Sequence, residues 1–260
     1  MLNIGLDLLE QVGDIAKRAG QEIMKVYETD FEVEDKADST PVTEADKRAE
    51  ELILRSISMG ITDKYPIIGE EAFASGDAPA IGDDPFWLVD PLDGTKEFVS
   101  RNGEFTVNIA IIDNGRPVMG VIHAPVTKQT YWGAAVGVFA QTGEEERVIA
   151  CREAPADGFV AMVSRSHRGP DIEKFFADYT IASETSAGSS FKFCRIAEGQ
   201  ADIYPRLGRT MEWDTAAGHA ILNFAGGSVT DLDGNPLQYA KPGFENPHFI
   251  AQGPGVAKKN

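Results

Sequence analysis

The sequence predicts a mixed α/β protein, an antiparallel α+β half followed by a more alternating α/β half, packed as two subdomains that share layers of helix and sheet. Three observations carry that prediction: two amphipathic helical stretches near the start, short apolar runs from Pro66 onward, and alternating strand and helix signals after a loop-like stretch at 154–158. The expected division is 1–154 and 155–260.

Leu8, Leu9, Val12, Ile15, Ala16, Ala19, Ile23 and Val26 recur at helical spacing with charges between them, which predicts one helix over 4–28. A second helix should open at Thr43, because Asp46 follows three positions later in capping-box fashion, and Ala49, Leu52, Ile53 and Ile57 supply its buried stripe. Apolar runs at 66–68, 86–89, 105–112, 118–123 and 130–132 read as strands, with Asn114-Gly115 as a hairpin turn. Beyond 158 the expected order is a strand at 159–163, a helix from Asp171, a strand at 179–182, and helices at 189–198 and 214–224. No internal repeat or low-complexity tract interrupts the chain.

With 260 residues, 42% of them hydrophobic and 25% charged, the chain has enough apolar material for a sizeable core. Its formal charge of −17 argues against nucleic-acid polymers and anionic membranes, whose recognition needs clustered Lys and Arg. An anionic substrate would need a cation between itself and such a protein, and a divalent metal serves. Cys151 and Cys194 lie far apart, which predicts neither a disulfide framework nor a thiolate zinc site and fits a reducing cytoplasm. The first ten residues lack a basic n-region, so no signal peptide is expected. No run approaches the ~20 apolar residues of a membrane span. His123, His167, His219 and His248 are scattered without metal-ligand spacing and read as structural or surface groups.

The most informative segment is Trp87-Leu88-Val89-Asp90-Pro91-Leu92-Asp93-Gly94-Thr95. A buried strand should end at Asp90, and Pro91 should fix a turn that brings Asp93 back beside it. Two carboxylates so close favour a cation between them, and hard oxygen ligands suit magnesium or manganese, with the Leu92 carbonyl as a further oxygen. Gly94 and Thr95 then begin a short helix whose free amides face an anion. The plainer alternative is that Asp93 caps that helix and Asp90 ends a strand. Gly69-Glu70-Glu71 after a strand and Trp213-Asp214-Thr215 at a helix start add acidic groups that a shared cleft could gather, although Asp214 is also a good N-cap.

These three elements, in this order, resemble the signature of the inositol monophosphatase superfamily, and the match runs over roughly 36–251. The resemblance implies a layered α/β/α/β sandwich. It places metal ligands on Glu70, Asp90, the Leu92 carbonyl, Asp93 and Asp214, and a water-activating pair on Asp46 and Thr95, so that Asp46 both caps a helix and contacts Thr95. It implies two or three magnesium ions per site, with manganese as a substitute, and inhibition by lithium and calcium. The stretch from Asp90 to Phe98, with Lys96-Glu97, and Asn102-Gly103-Glu104-Phe105-Thr106-Val107-Asn108 is similar to bacterial 3'(2'),5'-bisphosphate nucleotidases, whereas inositol monophosphatases carry Thr-Asn at Lys96-Glu97. Gly188-Ser189-Ser190-Phe191-Lys192-Phe193-Cys194 agrees too, except that Leu is usual at Phe191, while 73–84 and 141–152 match no known pattern.

The expected reaction is removal of the 3'-phosphate of adenosine 3',5'-bisphosphate, with 3'-phosphoadenylyl sulfate as a second substrate. Glu70, Leu92, Asp93, Gly94, Thr95, Ser190 and Asp214 would face that small phosphate ester, and Lys192, Arg206 and Arg209 would serve its second phosphate. The alternatives are an inositol, fructose or histidinol phosphate phosphatase, and a non-catalytic protein that binds divalent cations. The resemblance also allows a homodimer and loose attachment to the cytoplasmic face of the inner membrane.

Overall fold

The computed structural model describes residues 4–35, 41–164 and 170–259. The first half holds α1 (Leu6–Tyr27), β1 (Glu34–Asp35), β2 (Pro41–Val42), α2 (Glu44–Gly60), β3 (Ile67–Gly69), α3 (Glu70–Ser75), β4 (Phe86–Asp93) and α4 (Thr95–Val99). It continues through β5 (Thr106–Asp113), β6 (Arg116–Ala124), β7 (Gln129–Ala134), β8 (Gly137–Thr142) and β9 (Glu145–Val148). The second half holds β10 (Phe159–Ser164), α5 (Pro170–Ala177), β11 (Ile181–Ala187), α6 (Phe191–Ala197), β12 (Ile203–Arg206), α7 (Glu212–Phe224), β13 (Ser228–Asp231) and β14 (Phe249–Gln252).

Strands β3 to β9 form one sheet in sequence order, parallel only at β3–β4. The second sheet has the order β11-β10-β12-β14-β13, with β10 parallel to both β11 and β12. Alternation along β4 explains how the layers stack, because successive side chains point to opposite faces. Trp87 and Val89 enter a core with Leu9, Ile23, Ile53 and Ile57 from α1 and α2. Leu88 enters another with Ala216, Ala217 and Ile221 of α7 and with Phe249 and Ala251 of the second sheet. Ile172 and Phe176 of α5 pack with Phe159, Ala161 and Ile203 beyond that sheet. The expected helix and sheet sandwich is therefore present, and α5 covers the outer face of the last sheet.

Helix α1 and the N-cap of α2 at Thr43 agree with the sequence pattern. The hairpin β8–β9, the short helix α3 and the last two strands were not anticipated. All four residues of β9 are exposed, so no apolar alternation marks it, and the six residues of α3 are too few for a helical period to register. Two buried carboxylates join the halves. Glu198, at the end of α6, accepts from Arg195 at 2.5 Å, from Tyr131 at 3.3 Å and from Arg147. Asp202 takes a bidentate pair from Arg152 at 2.9 and 2.8 Å and the amide of Val160 at 2.7 Å.

Candidate functional site

Pro91 does not reverse the chain as the sequence reading expected. Strand β4 continues through it to Asp93, and the register against β5 slips from Asp90↔Asn108 to Asp93↔Thr106, so one extra residue bulges out of β4. A bulge re-aims side chains without ending the strand. Asp90 is held by the bulge that follows it, its Oδ1 accepting the Leu92 amide at 3.0 Å. Gly94 follows with a φ of 95°, where a Cβ would run into the Ser189 hydroxyl, so glycine is required on both counts.

Glu70, Asp90 and Asp214 each bring a carboxylate oxygen within 4.8 Å of the other two. They line a cleft of about 230 Å³ together with Leu92, Asp93, Gly94, Thr95, Ser190, Lys192 and Arg206. Asp214 comes from the first turn of α7, where its Oδ2 accepts the Met211 amide at 2.9 Å. The capping role and the place in the cleft coexist in one side chain. Asp93 stands beside this trio, and its Oδ2 accepts from Ser190 Oγ at 2.7 Å and from Asn108 Nδ2 at 3.4 Å.

The electrostatics are those of a cation site. Burial, then repulsion from Asp93 and Glu70, holds the Asp214 carboxyl well above the usual carboxylate range. Burial also raises Asp93, against the opposing hydrogen bond from Ser190 and the charge of Lys192. Buried carboxylates facing one another are unfavourable as a set of anions, and a divalent cation removes the penalty. All four are hard oxygen donors, so the residues fit an oxygen-preferring metal.

Asp46 sits in the first turn of α2 and is almost fully buried. Its Oδ2 accepts from the Thr43 amide at 2.8 Å and from the Thr43 hydroxyl at 2.7 Å, completing the capping box. Its Oδ1 lies 3.4 Å from the Thr95 hydroxyl, which is also 3.3 Å from the Leu92 carbonyl. Capping and contact with Thr95 therefore occur together.

The opposite wall is the turn Gly188-Ser189-Ser190. Ser189, at a φ of 49°, points its hydroxyl at the Asp93 and Glu104 carbonyls, each 2.7 Å away, and the Gly188 amide donates to Glu104 Oε2 at 2.7 Å. The Ser190 hydroxyl also lies 2.9 Å from the Asp214 carbonyl and accepts from Asn108 Nδ2 at 2.9 Å. Lys192 is buried rather than on the surface. Its ammonium donates to the Ala187 and Ser189 carbonyls at 3.2 and 2.6 Å and lies over the Tyr204 ring, and burial lowers its pKa to about 8. Arg206 lines the cleft and donates to the Arg209 carbonyl at 3.2 Å, whereas Arg209 pairs with Glu245 at 3.3 Å. Glu50, Asn108, Glu104 and Ser189 were assigned no role from sequence, and their bonds to the site span 15 to 96 residues, beyond the reach of a local pattern.

None of the described histidines lines the cleft. His123 and His219 are buried against Thr130 and Tyr239, and burial lowers their pKa values to about 4 and about 3. His248 is exposed, and His167 lies outside the described residues. Neither cysteine is in a disulfide. Among the described residues no helix is long and apolar enough to cross a membrane.

Comparison with known proteins agrees with this geometry. The chain is 42% identical over 245 residues to the 3'(2'),5'-bisphosphate nucleotidase CysQ of Escherichia coli K12, covering 93% of this chain and 98% of that protein. To its counterpart in Salmonella typhimurium the identity is 43% over 249 residues, with the same coverage. Among solved structures, CysQ from Bacteroides thetaiotaomicron superposes with a TM-score of 0.80 at 37% identity, covering 95% of this chain and 97% of that one. The IMPase of Thermotoga maritima does so with 0.77 at 26%, covering 96% and 93%. Residues 7–258 match the model of the inositol monophosphatase family, and the chain belongs to that family.

Proposed function

We propose that this protein is a magnesium-dependent 3'(2'),5'-bisphosphate nucleotidase that removes the 3'-phosphate of adenosine 3',5'-bisphosphate to give AMP and phosphate, and that it also accepts 3'-phosphoadenylyl sulfate. The observation that carries the proposal is the meeting of Glu70, Asp90 and Asp214 beside the Asp46–Thr95 pair, in a chain that aligns with CysQ nucleotidases over nearly its whole length.

Glu70, Asp90, Asp93, Asp214 and the Leu92 carbonyl are the oxygen donors that would hold magnesium, or manganese in its place. When bound, the metal supplies a water acidic enough to attack at neutral pH and positive charge for the leaving oxygen. The protein then handles the proton. With Asp46 Oδ2 bonded to Thr43, Oδ1 is the atom directed at Thr95. A Thr95 hydroxyl that donates to Asp46 turns its lone pairs toward the cleft, where they accept a hydrogen from the water and leave its oxygen aimed at phosphorus. As the water attacks, its proton passes through Thr95 to Asp46. The amides at Gly94 and Thr95 face the phosphoryl oxygens, and Arg206 meets the second phosphate. Lys192 acts from below by holding the turn that carries Ser190.

Phosphate release should be assayed with magnesium on adenosine 3',5'-bisphosphate, 3'-phosphoadenylyl sulfate, inositol 1-phosphate, fructose 1,6-bisphosphate and histidinol phosphate. The expected result is highest kcat/KM on the adenosine bisphosphate. A clear preference for inositol 1-phosphate would overturn the substrate assignment while keeping the enzyme class.

A further inference from the structure

Helix α3 begins at Glu70, and its N-cap is Gly69, which has no side chain to satisfy the first amides of the helix. The cap comes from elsewhere. Glu50, on α2 one turn beyond Asp46, reaches across and accepts the Glu71 and Ala72 amides, both at 2.8 Å. Glu50 is 5% exposed, so its carboxylate has little water to fall back on. Gly69 is extended, with φ −95° and ψ 151°, a conformation open to any residue, so its backbone does not demand glycine. Space does: a Cβ at that position would lie 2.5 Å from Glu50 Cδ. Glycine stands at position 69 because the Glu50 carboxylate occupies the room a side chain would need.

We infer that Glu50 is a positioning residue for Glu70, and that α2 sets the register of the site from one rigid element, with Asp46 directed at Thr95 and Glu50 fixing the turn that aims Glu70. Glu70 immediately precedes Glu71, whose amide Glu50 holds together with that of Ala72, so loss of that anchor tilts the first turn of α3 and moves the Glu70 carboxylate away from Asp90 and Asp214. The inference rests on Glu70 being a metal ligand. Residues that orient metal ligands typically change affinity by ~10–100-fold when altered.

Two variants test this from opposite sides. Glu50→Gln keeps the shape but replaces one acceptor oxygen with an amide that repels a backbone N–H, and Gly69→Ala leaves Glu50 intact while pushing it off its amides. Isothermal titration of magnesium and of manganese into the metal-stripped proteins, without substrate, should show Kd raised ~10–100-fold in both variants. Half-saturating magnesium for phosphate release should rise in parallel, while KM for substrate at saturating metal stays within a few-fold of the parent. Should Glu50→Gln not fold, Gly69→Ala reads the same contact. Metal affinity within twofold of a parent that binds tightly, even with a lowered melting temperature, would overturn the positioning role and leave the site reading intact. A parent that binds neither metal would remove Glu70 as a ligand and both readings with it.

Discussion

The two walls of the cleft are held in different ways. On the wall formed by α2 and the end of β4, the bonds are mostly local: Asp90 to the Leu92 amide, Thr95 to the Leu92 carbonyl, Asp46 to Thr43. The wall at Gly188-Ser189-Ser190 is held by bonds to Asp93, Glu104 and Asn108, 82 to 97 residues away. Most of the groups proposed to hold the metal or handle the proton crowd the local wall, and the other wall contributes Asp214 and a set of hydroxyls and amides that fix where Asp93 points. Chemistry and its alignment are thus assigned to different parts of the chain, and each can be disturbed separately.

The largest effect should follow from removing chemistry on the local wall. Asp93→Asn and Asp46→Asn should each lower turnover by ~10²–10⁴-fold, the range for loss of a group that handles protons or charge in the transition state. Both should fold. Melting of metal-free Asp93→Asn should not fall below the parent, because a buried acid with a raised pKa costs stability when ionised. Near-parental magnesium-dependent activity in either variant would exclude its role.

Next comes the opposite wall. Ser190→Ala removes a hydroxyl placed among Asp93, Asp214 and Asn108, so Asp93 loses its shortest partner without losing its charge. Half-saturating magnesium should rise ~10–100-fold, with most turnover recovered at high metal. If turnover stays depressed at saturating metal, the two walls do not divide the work in this way, and Ser190 touches the reacting phosphate itself.

The same contrast explains what the sequence could reveal. Asp90, Asp93, Gly94 and Thr95 form one short segment, and the Thr43–Asp46 capping box is a pattern over four residues, so both were legible. Helices α1 and α2 were legible because their buried stripes are long. Glu50 was not, since a glutamate on a helix with exposed Glu51 beside it reads as surface until α3 is placed against it. The burial of Lys192 was not legible either, because lysine is rarely buried, and here its ammonium donates to the Ala187 and Ser189 carbonyls beside Asp93. The bulge at Pro91 also escaped, because proline followed by Asp-Gly reads as a turn, and only pairing with β5 shows the strand running through.

A third prediction joins the walls through protons. Burial raises Asp214 and Asp93 above the ordinary carboxylate value of 3.8, so in metal-free protein each keeps its proton to a higher pH than a free carboxylate does, and over that span a cation must displace it. The sign is fixed by that raised pKa. Stability from the protonated forms is complete below about pH 3.8 and is lost as pH rises through the raised values, where the bound cation replaces it. Magnesium titrations in buffers of differing ionisation enthalpy should show net proton release that shrinks as pH rises, and metal affinity should strengthen over the same span. Proton uptake, or release independent of pH, would contradict the assignment of these two carboxylates to the cation.

The smallest effect should come from a contact outside the cleft lining that also joins the halves. Glu198 is buried between Arg195 and Arg147, but the Arg147 side chain is 50% exposed, so water screens much of its attraction. Arg147→Ala leaves Arg195 and Tyr131 on the same carboxylate and should cost no more than about 1 kcal/mol, a shift of ~2–4 °C in Tm for a chain of this size. Half-saturating magnesium should be unchanged, because the bonds of Ser189 and Ser190 to Asp93 and Glu104 set the alignment of the halves at the cleft. A change in magnesium dependence in this variant would mean that alignment is set at the periphery and only read out by Ser190, which reverses the order of control between the two walls.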